Sequence, residues 1–449
     1  MNNIFSLKYL FTFLFFFSIL INQTIYAEET DSLLVKDNES IKIDSIKISG
    51  NDITQEFIIL RELTFHAGET VTGKILRFNR ERVFSLRLFN RVEFIIQNEQ
   101  NKNILEIHLY ESWYFYPLPF LRAHNGDIKK ATYGINFLYK NFRGRNETIR
   151  AMIGFGYDPY YSISYDNPAL FFENDIGFSF ALAYSNFTNK SVTAKNITGE
   201  DYKYKFFSQS ISLSKWFNQF HIASLELGFN YLEAPFAQNG ITASGERIDR
   251  LMYGGISYIY DSRDLKQYSE NGLFTFLQFI HKGFGINNIT YNEFDLDFRE
   301  YRNIFEQLSG KWRLSYRRTF GKVVPFYDYS YLGYGERVRG HFNDIREGKG
   351  YLLTSFELSY PVIKEWNVSL KLPLLPGSLT SARIGIYLSG FIDAGDTFND
   401  SNPFSINHFY SGYGFGLTFL FLPYNTIRFE YAFNELGRGE FIIGTGFSF

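Results

Sequence analysis

The stretch EFIIGTGFSF, residues 440–449, decides the fold because its side chains alternate in character along the chain. Large apolar residues fall on one face of an extended strand: Phe441, Ile443, Phe447 and Phe449. Gly444 and Gly446 fall on the opposite face, which is small and nearly featureless. A strand with one face suited to hydrocarbon is stable in lipid only when both edges are hydrogen-bonded. The stretch therefore predicts a closed transmembrane barrel.

The same alternation recurs upstream, starting near Tyr114. It is clear in four stretches: IGFSFALAY at 176–184, YNEFDLDFRE at 291–300, LSGKWRLSYR at 308–317 and IRFEYAFN at 427–434. A soluble β-sandwich also alternates, but here one face is almost wholly aromatic or branched and the other is small or charged. The pattern favours a mainly β fold with an antiparallel transmembrane barrel over residues 114–449. At roughly 20 residues per strand and connection, this length gives about sixteen strands, an even number as in bacterial barrels.

The composition agrees with a barrel and excludes several other classes of protein. Aromatic residues make up 20% of the 449 residues, with 51 Phe and 33 Tyr, which suits lipid-facing strands. Mean hydropathy is only -0.18, because lumen-facing polar residues offset lipid-facing ones. Cysteine is absent, so disulfides and thiolate metal sites are excluded. The net charge of -2 gives no electrostatic argument for binding nucleic acid.

The first 27 residues have the order of a secretory signal. The apolar run 4–21 contains Lys8 and is followed by the small residue Ala27, after which we expect cleavage. The alternative is a membrane anchor, which would be expected to continue into a longer uncharged span. Residues 28–40 are polar and acidic, and are predicted to be flexible.

Residues 41–112 are predicted to form a small α+β unit in the order βααββ. IKIDSIKISG indicates a strand, after which Thr54 is predicted to cap a helix that extends to about Leu63. Thr72 is predicted to cap a second helix that extends to about Phe89. The alternating stretches VEFIIQ and NILEIHLYE then predict two strands.

One loop, LGYGERVRGHFNDIREGKG at 332–350, differs from the other connections because it is rich in glycine and arginine. It is either a solvated outer loop or a segment tucked into the barrel. The downstream strand RIGIYLSGFIDAGD, at 383–396, turns Phe391 and Asp393 toward the lumen. A partly dehydrated carboxylate without a partner is costly. An arginine on a tucked loop would bind it in a two-pronged hydrogen bond.

Several stretches together resemble the outer-membrane superfamily of barrel-assembly insertases and two-partner secretion transporters. They occur in the family's order: GNDIT…REL…AGE within 41–112, YDNPALF at 165–171, YIYDSRD at 258–264 before Asn271-Gly272, VRGH at 338–341, GFIDAG at 390–395, and GYGFG through RFEYAF. The resemblance covers nearly all of the chain after the leader. It identifies 41–112 as resembling one POTRA domain, the periplasmic module of that superfamily.

The resemblance implies that Arg339 contacts Asp393 and holds the loop inside the barrel. The residues of this loop-to-barrel lock would be Val338, Arg339, Gly340, Phe391 and Asp393. His341 departs from the aromatic residue usual at the fourth position of the VRGH motif. Three residues of the YIYDSRD stretch belong to a further family segment: Asp261, Arg263 and Asp264.

The function implied by the resemblance is insertion or translocation of client polypeptides, not catalysis. The POTRA unit would face the periplasm and receive unfolded clients, with periplasmic chaperones or accessory proteins as further partners. The barrel would lie in the outer membrane and open at a seam between its first and last strands. The alternative is a receptor, porin or adhesin whose long loops are functional. Only one POTRA unit fits before the barrel, fewer than in central insertases.

The remaining motifs predict no catalytic, cofactor-binding or metal-binding residues. Gly412, Gly414 and Gly416 recur at strand period and predict a lumen-facing row, not a phosphate loop. Gly444 and Gly446 would either ease bending of the last strand or make room for the tucked loop. The stretch 308–317 has a cationic face formed by Lys311, Arg313 and Arg317. This face either lines a pore or is balanced by neighbouring Asp295 and Asp297.

Overall fold

The residues that the computed structural model describes are 26–27, 35–124, 127–342, 344–370 and 375–446. They form an antiparallel β-barrel with a small α/β unit packed on one end. The predicted leader apart from Tyr26–Ala27, and both Phe447 and Phe449 of the final stretch, lie outside the described residues.

The α/β unit contains a three-stranded sheet and two helices. The elements up to the barrel are β1 (Tyr26–Ala27), β2 (Ser40–Lys42), β3 (Ser45–Ser49), α1 (Glu56–Leu60), β4 (Thr70–Thr72), α2 (Gly73–Phe84), β5 (Phe89–Glu99) and β6 (Lys102–Glu111). β6 lies in the centre of the sheet, parallel to β3 and antiparallel to β5. Ile58, Leu76 and Ile107 are among the fully buried residues that join helices and sheet in one core.

This unit differs from the sequence prediction in its helix boundaries and in one cap. Helix α1 ends at Leu60 and α2 at Phe84, so both helices are shorter than predicted. Thr72 caps α2, accepting from the backbone N–H of Ile75 at 3.3 Å. The prediction for Thr54 was wrong: Gln55 is the N-cap of α1. The Thr54 hydroxyl instead forms hydrogen bonds with the Tyr114 hydroxyl and the Asn141 side-chain amide, in a buried network that reaches the barrel.

Residues 35–40 differ from the flexible segment expected there, because they lie against α2. Arg77 pairs with Asp37, and the backbone N–H of Gly73 donates to the Glu39 carbonyl at 3.1 Å. A short strand pairing, β2 with β4, further joins this segment to the unit and was not predicted.

In the part of the chain that the structure describes, sixteen strands form the barrel, which confirms the predicted fold class and strand number. They are β7 (Phe115–His124), β8 (Asp127–Phe142), β9 (Glu147–Gly156), β10 (Tyr160–Phe171), β11 (Ile176–Thr188), β12 (Lys203–Trp216), β13 (His221–Glu233), β14 (Ile248–Asp261), β15 (Gly272–Lys282), β16 (Tyr291–Phe305), β17 (Leu308–Gly321), β20 (Gly350–Ser369), β21 (Ser381–Phe398), β22 (Tyr410–Leu422), β23 (Asn425–Asn434) and β24 (Gly439–Thr445). Two short strands lie in the loop between β17 and β20: β18 (Ser330–Leu332) and β19 (Arg346–Gly348). Two short helices lie in other connections: α3 (Val192–Thr198) and α4 (Gly377–Thr380).

Alternation of side chains determines which face of each strand meets lipid. In β24, Phe441 and Ile443 are 61% and 62% exposed on the outer face, whereas Ile442 is 7% exposed and packs inside against Phe391. The outward apolar residues of neighbouring strands form a continuous lipid-facing surface. No helix among the described residues is long and apolar enough to cross a membrane.

The two ends of the barrel differ in the length of their connections. We call the end that carries the α/β unit the near end and the opposite end the far end. The near end has tight turns at 143–146, 217–220, 306–307 and 423–424 and two longer connections at 262–271 and 370–380, whereas the longest connections, at 189–202, 234–247 and 322–349, are all at the far end. This asymmetry is typical of barrels whose long loops face outward from the cell.

The α/β unit covers the near mouth and shares a hydrophobic core with the barrel floor. Five barrel residues belong to the same buried cluster as the core of the unit: Leu265, Tyr268, Tyr387, Leu420 and Leu422. Near-end turns approach the unit closely, since a Cβ on Gly144 would collide with the carbonyl oxygen of Ile53. Arg87 of the unit donates to the carbonyl oxygens of Pro423 and Tyr424 in another turn.

Candidate functional site

The long loop 322–349 enters the lumen and is fixed first at its base. Asp328 accepts from the Lys282 ammonium at 2.8 Å and from the Tyr291 hydroxyl at 2.7 Å. Pairing of β18 with β19 then closes the loop into a hairpin-like arm. The loop is therefore not a solvated outer loop, and its tip lies among lumen-facing strand residues.

Arg339 at the loop tip is 7% exposed and faces three carboxylates. Its Nε and Nη2 donate to the two carboxylate oxygens of Asp393 at 2.7 and 2.8 Å, the two-pronged geometry typical of arginine. Its Nη1 donates to Glu357 at 3.1 Å and to Glu430 at 2.9 Å. The guanidinium also lies 3.5 Å from the ring centre of Phe391, which adds a cation–π contact.

Two further cations balance this group of carboxylates. Lys311 lies 3.3 Å from Glu357, and Arg428 lies 3.5 Å from Glu430. With Arg339 and Asp393, three cations and three carboxylates meet in a volume shielded from water. A buried group of this kind is tolerated only while every charge keeps its partner.

The backbone of the loop tip is shaped to fit the strands behind it. Gly340 has a φ of 96°, which is favourable only for glycine, and a Cβ there would press on the Phe433 carbonyl at 2.7 Å. A Cβ on Gly412 would collide with the Arg339 carbonyl oxygen. The first member of the predicted glycine row therefore makes room for the loop. Glu440 of β24 accepts from the backbone N–H of Gly340 at 2.9 Å, which links the tip to the last strand.

Val338 and His341 flank the arginine on either side of the tip. Val338 is 1% exposed and packs with Leu332 and Tyr410. His341 places Nε2 2.8 Å from Glu435, and its ring lies edge-on to Tyr410 at 4.6 Å. A histidine thus occupies the position usually aromatic in the motif and keeps a ring contact there.

The lumen-facing cations of β17 are paired with acidic side chains. Arg313 binds Asp297 at 2.9 Å and Glu336 of the loop at 2.8 Å, so the loop is also held by β17. Arg317 lies 2.9 Å from Glu293 and 4.0 Å from Asp295. Of the two alternatives for this face, charge balance is the one that the structure favours.

The family segment lies at the near end, in the turn between β14 and β15. Arg263 binds Asp261 through two hydrogen bonds of 2.8 and 2.9 Å. Asp264 accepts from the backbone N–H groups of Leu265 and Glu270 at 2.8 and 3.1 Å, which fixes the turn. Burial raises the pKa of Asp264 to about 6, although these two hydrogen bonds act in the opposite direction.

Arg82 of helix α2 connects the α/β unit to this turn. It is fully buried and binds Glu62 at 2.8 Å within the unit. It also donates to the carbonyl oxygens of Asp261, at the end of β14, and of Gln219, in the turn before β13, at 2.9 and 2.6 Å. Separating the α/β unit from the barrel would leave this buried guanidinium without its two barrel acceptors, which is costly.

A second ionic contact joins α2 to the hairpin of β20 and β21. Glu81 binds Arg383 at 2.7 Å and Arg80 at 2.8 Å, while Arg80 also lies 3.0 Å from Glu365. Burial alone would raise the pKa of Glu81, but the charges of Arg383 and Arg80 outweigh it and lower the pKa to about 2.

Replacing Glu81 with glutamine is expected to loosen the α/β unit from the near mouth at neutral pH. Because the folded-state pKa lies below the ordinary value of 4.5, Glu81 stabilises docking above that pH, and its contribution is lost as the pH falls toward 2. The chain has no cysteine, so nitroxides on Lys74→Cys and Glu173→Cys report one distance between unit and barrel rim. We expect a narrow distance distribution for the wild type at pH 7 and a broad one for the variant.

Glu56→Gln is the matched control, since Glu56 is exposed on the neighbouring helix. It should leave the distribution narrow at pH 7. Between pH 4.5 and 2, Glu81→Gln should change less than the wild type, because the titrating group is missing. Identical pH profiles for the two proteins would refute the role assigned to Glu81.

The strands follow chain order around the barrel, so the last strand comes beside the first. The ring centre of Tyr116 in β7 lies 6.5 Å from that of Tyr424, in the turn before β23, which supports this closure. The described part of β24 pairs with β23 over the seven positions 439–445, whereas β11 and β12 pair over thirteen. Within the described residues, the pairing of β24 with its neighbour is therefore short.

The glycines of the seam do not make room for the loop, which was one of the two alternatives predicted for them. Gly446 lies just beyond the described end of β24 with a φ of 90°, and so does not belong to the strand. A Cβ on Gly444 would lie 3.0 Å from the Arg428 guanidinium, so Gly444 makes room for that side chain and not for the loop. Phe441 and Ile443 face outward, as expected for a lipid-facing edge.

Comparison with known proteins assigns this chain to a family. A model of the Omp85 superfamily domain matches residues 141–449. The chain belongs to the Omp85 superfamily. A crystal structure of BamA from Haemophilus ducreyi lacking POTRA domains 1-3 matches with a TM-score of 0.51 and 15% identity, covering 94% of this chain and 89% of that one. CdiB from Escherichia coli matches with a TM-score of 0.52 and 10% identity, covering 94% and 80%. Comparison with curated proteins finds no match.

Membership in this superfamily makes the chain an outer-membrane barrel protein of the insertase and translocator class. The two structural likenesses, at these identities, concern the fold alone. They extend over the α/β unit as well as the barrel, because each covers 94% of the chain.

Proposed function

We propose that this Omp85-superfamily protein inserts client polypeptides into the outer membrane through the seam between β7 and β24. The α/β unit is taken as a single POTRA domain in the periplasm, where a free edge of its sheet adds a client strand by backbone hydrogen bonding. Clients are unfolded outer-membrane strands, delivered with or without periplasmic chaperones. No energy source is needed beyond strand pairing and burial of client apolar surface.

The observation that carries this proposal is that the lumen is obstructed at two levels. The α/β unit covers the near mouth. The loop arm crosses the lumen, because Tyr327 at its base donates to Asp249 of β14 at 2.8 Å and the backbone N–H of Gly340 at its tip donates to Glu440 of β24, on the opposite side of the barrel, at 2.9 Å. A polypeptide that passed straight through would have to displace both. Lateral insertion requires only that the last strand separate from the first, which favours insertion over secretion.

Reconstitution into liposomes tests the proposal. Vesicles containing the mature chain from Glu28 onward receive urea-unfolded outer-membrane barrel clients, and the folded, protease-protected client is measured over time. We expect faster accumulation than in protein-free vesicles, because a strand edge in the bilayer lowers the cost of inserting unpaired backbone.

The alternative is a receptor, porin or adhesin barrel, and the same vesicles separate it from the proposal. A porin would give steady conductance in planar bilayers without accelerating client folding. Equal client folding with and without the protein, together with such conductance, would overturn insertion as the function. Glu81→Gln, which loosens the near mouth, provides an internal comparison for the conductance measurement.

A further inference from the structure

The hairpin of β20 and β21 extends beyond the near rim of the barrel. Pairing of β17 with β20 ends at Ser309 and Ser359, whereas β20 stays paired with β21 as far as Ser369 and Ser381. Ten residues of β20 thus project past the rim, and among the described residues the edge that faced β17 has no barrel strand beside it.

Most of this projecting edge carries the features that prevent strands from adding to it. Pro361 removes a donor, Lys364 places a charge on the edge, and two register shifts between Pro361 and Trp366 bend the strand. The last three residues, Asn367, Val368 and Ser369, are uncharged and regularly paired. Protection against strand addition therefore stops just before the end of the hairpin.

A short strand already occupies that unprotected edge. β1 (Tyr26–Ala27) pairs antiparallel with it, Tyr26 opposite Ser369 and Ala27 opposite Val368. These two residues are the last of the predicted leader. Its removal would leave the backbone groups of Val368 and Ser369 without this partner in the mature protein.

A cavity of about 1000 Å³ lies beside the same edge, at the foot of the first barrel strand. Its walls combine the uncharged edge with four half-exposed aromatic residues: Tyr110, Trp113, Phe115 and Tyr139. The backbone N–H of Trp113 donates to the Ser378 carbonyl at 3.2 Å, so the hairpin end contacts the linker into β7. An occupant of the cavity would therefore lie against the start of β7, the first of the two seam strands.

We propose that this edge and cavity form a receiving site for an extended client segment in which aromatic and small residues alternate. The segment adds antiparallel to 367–369 by backbone hydrogen bonds, and the aromatic walls select its large side chains. The inference rests on the proposed function and deepens it, because it assigns a client-binding site to the barrel hairpin rather than to the α/β sheet.

Photo-cross-linking tests the site with a peptide of known sequence. Benzoylphenylalanine replaces Ser369 in the mature protein, and the probe is a labelled peptide of residues 436–449, a membrane strand of the required pattern. We expect cross-linking at 369 and little at the control position Ile406, which is 74% exposed at the far end. A peptide of residues 20–27 should compete, since it carries the segment that occupies the edge in the precursor.

Two variants and a scrambled peptide serve as controls for the cross-linking. Trp113→Ala should reduce cross-linking by removing an aromatic wall, whereas Trp312→Ala, on the lipid face, should not. A scrambled peptide without alternation should cross-link weakly. Equal cross-linking at 369 and 406, no competition by residues 20–27, or cross-linking at 369 only to a second copy of the chain would overturn the site.

The liposome assay distinguishes failure of the site from failure of the function. Client insertion without specific cross-linking at 369 refutes the receiving site and leaves insertion intact. Specific cross-linking without insertion keeps the site and refutes the function.

Discussion

Replacing Arg339 with alanine is expected to destabilise the barrel by about 3–5 kcal/mol, the cost typical of breaking a buried ion pair. The substitution leaves Asp393, Glu357 and Glu430 close together with too few cations. Asp393→Ala should cost less, because Arg339 would keep its contacts with Glu357 and Glu430. Unequal losses of stability in the two variants would show that one cation pairs with several carboxylates.

Heat-modifiable migration and protease resistance of the loop measure this effect. Arg337→Ala is the matched control, since Arg337 lies in the same loop and stacks on Phe342 at 4.5 Å instead of binding the carboxylate group. The control should retain both properties of the wild type.

Neutralising the cluster provides a second test of the same mechanism. Arg339→Met combined with Asp393→Asn should recover part of the stability lost in Arg339→Ala, because Lys311 still pairs with Glu357 and Arg428 with Glu430, so that no charge of the cluster loses its partner. If the single alanine variant keeps its melting behaviour and an intact loop, the lock assigned to Arg339 does not exist.

The barrel was predictable from the sequence because alternation is a local property. Whether Phe441 or Ile442 faces outward depends only on the period of an extended strand, and exposures of 61% and 7% follow it. Helix ends were less predictable, since α1 stops at Leu60, before the predicted end near Leu63. Thr54 is a good capping residue, but the network with Tyr114 and Asn141 at the barrel uses its hydroxyl instead.

The partners of Arg339 were only partly predictable. Asp393 lies in the GFIDAG stretch and Glu430 in the RFEYAF stretch, both of which resemble the family, whereas Glu357, 18 residues from Arg339, lies on a strand without such a motif. Neither glutamate was predicted as a partner of Arg339. Their meeting depends on the register of β20 to β23, which sequence periodicity does not fix. The one available signal was that both glutamates occupy lumen-facing positions of otherwise alternating strands. The closure of the near mouth had no signal, because it arises from contacts between residues that are far apart in the sequence.

A disulfide across the seam is expected to abolish client insertion while leaving the barrel folded. One cysteine is placed at 117–121 in β7 and the other at 441–445 in β24, and pairs that oxidise in membranes identify adjacent positions, with Cα atoms about 5.5–6 Å apart. No native cysteine competes, because the chain has none. Locking the two strands removes the edge to which a client strand would add, so insertion in liposomes should fall to the level of protein-free vesicles.

Reduction of the same protein supplies the strongest comparison, since dithiothreitol should restore insertion without any change of sequence. The control is Ser162→Cys with Ala183→Cys, directly opposite residues on β10 and β11. This cross-link stiffens the barrel to a similar degree away from the seam and should leave insertion unchanged. Full activity of an oxidised seam variant would show that β7 and β24 need not separate. The client would then have to take the obstructed lumen, where displacing Arg339 exposes three carboxylates, and secretion would become the better explanation.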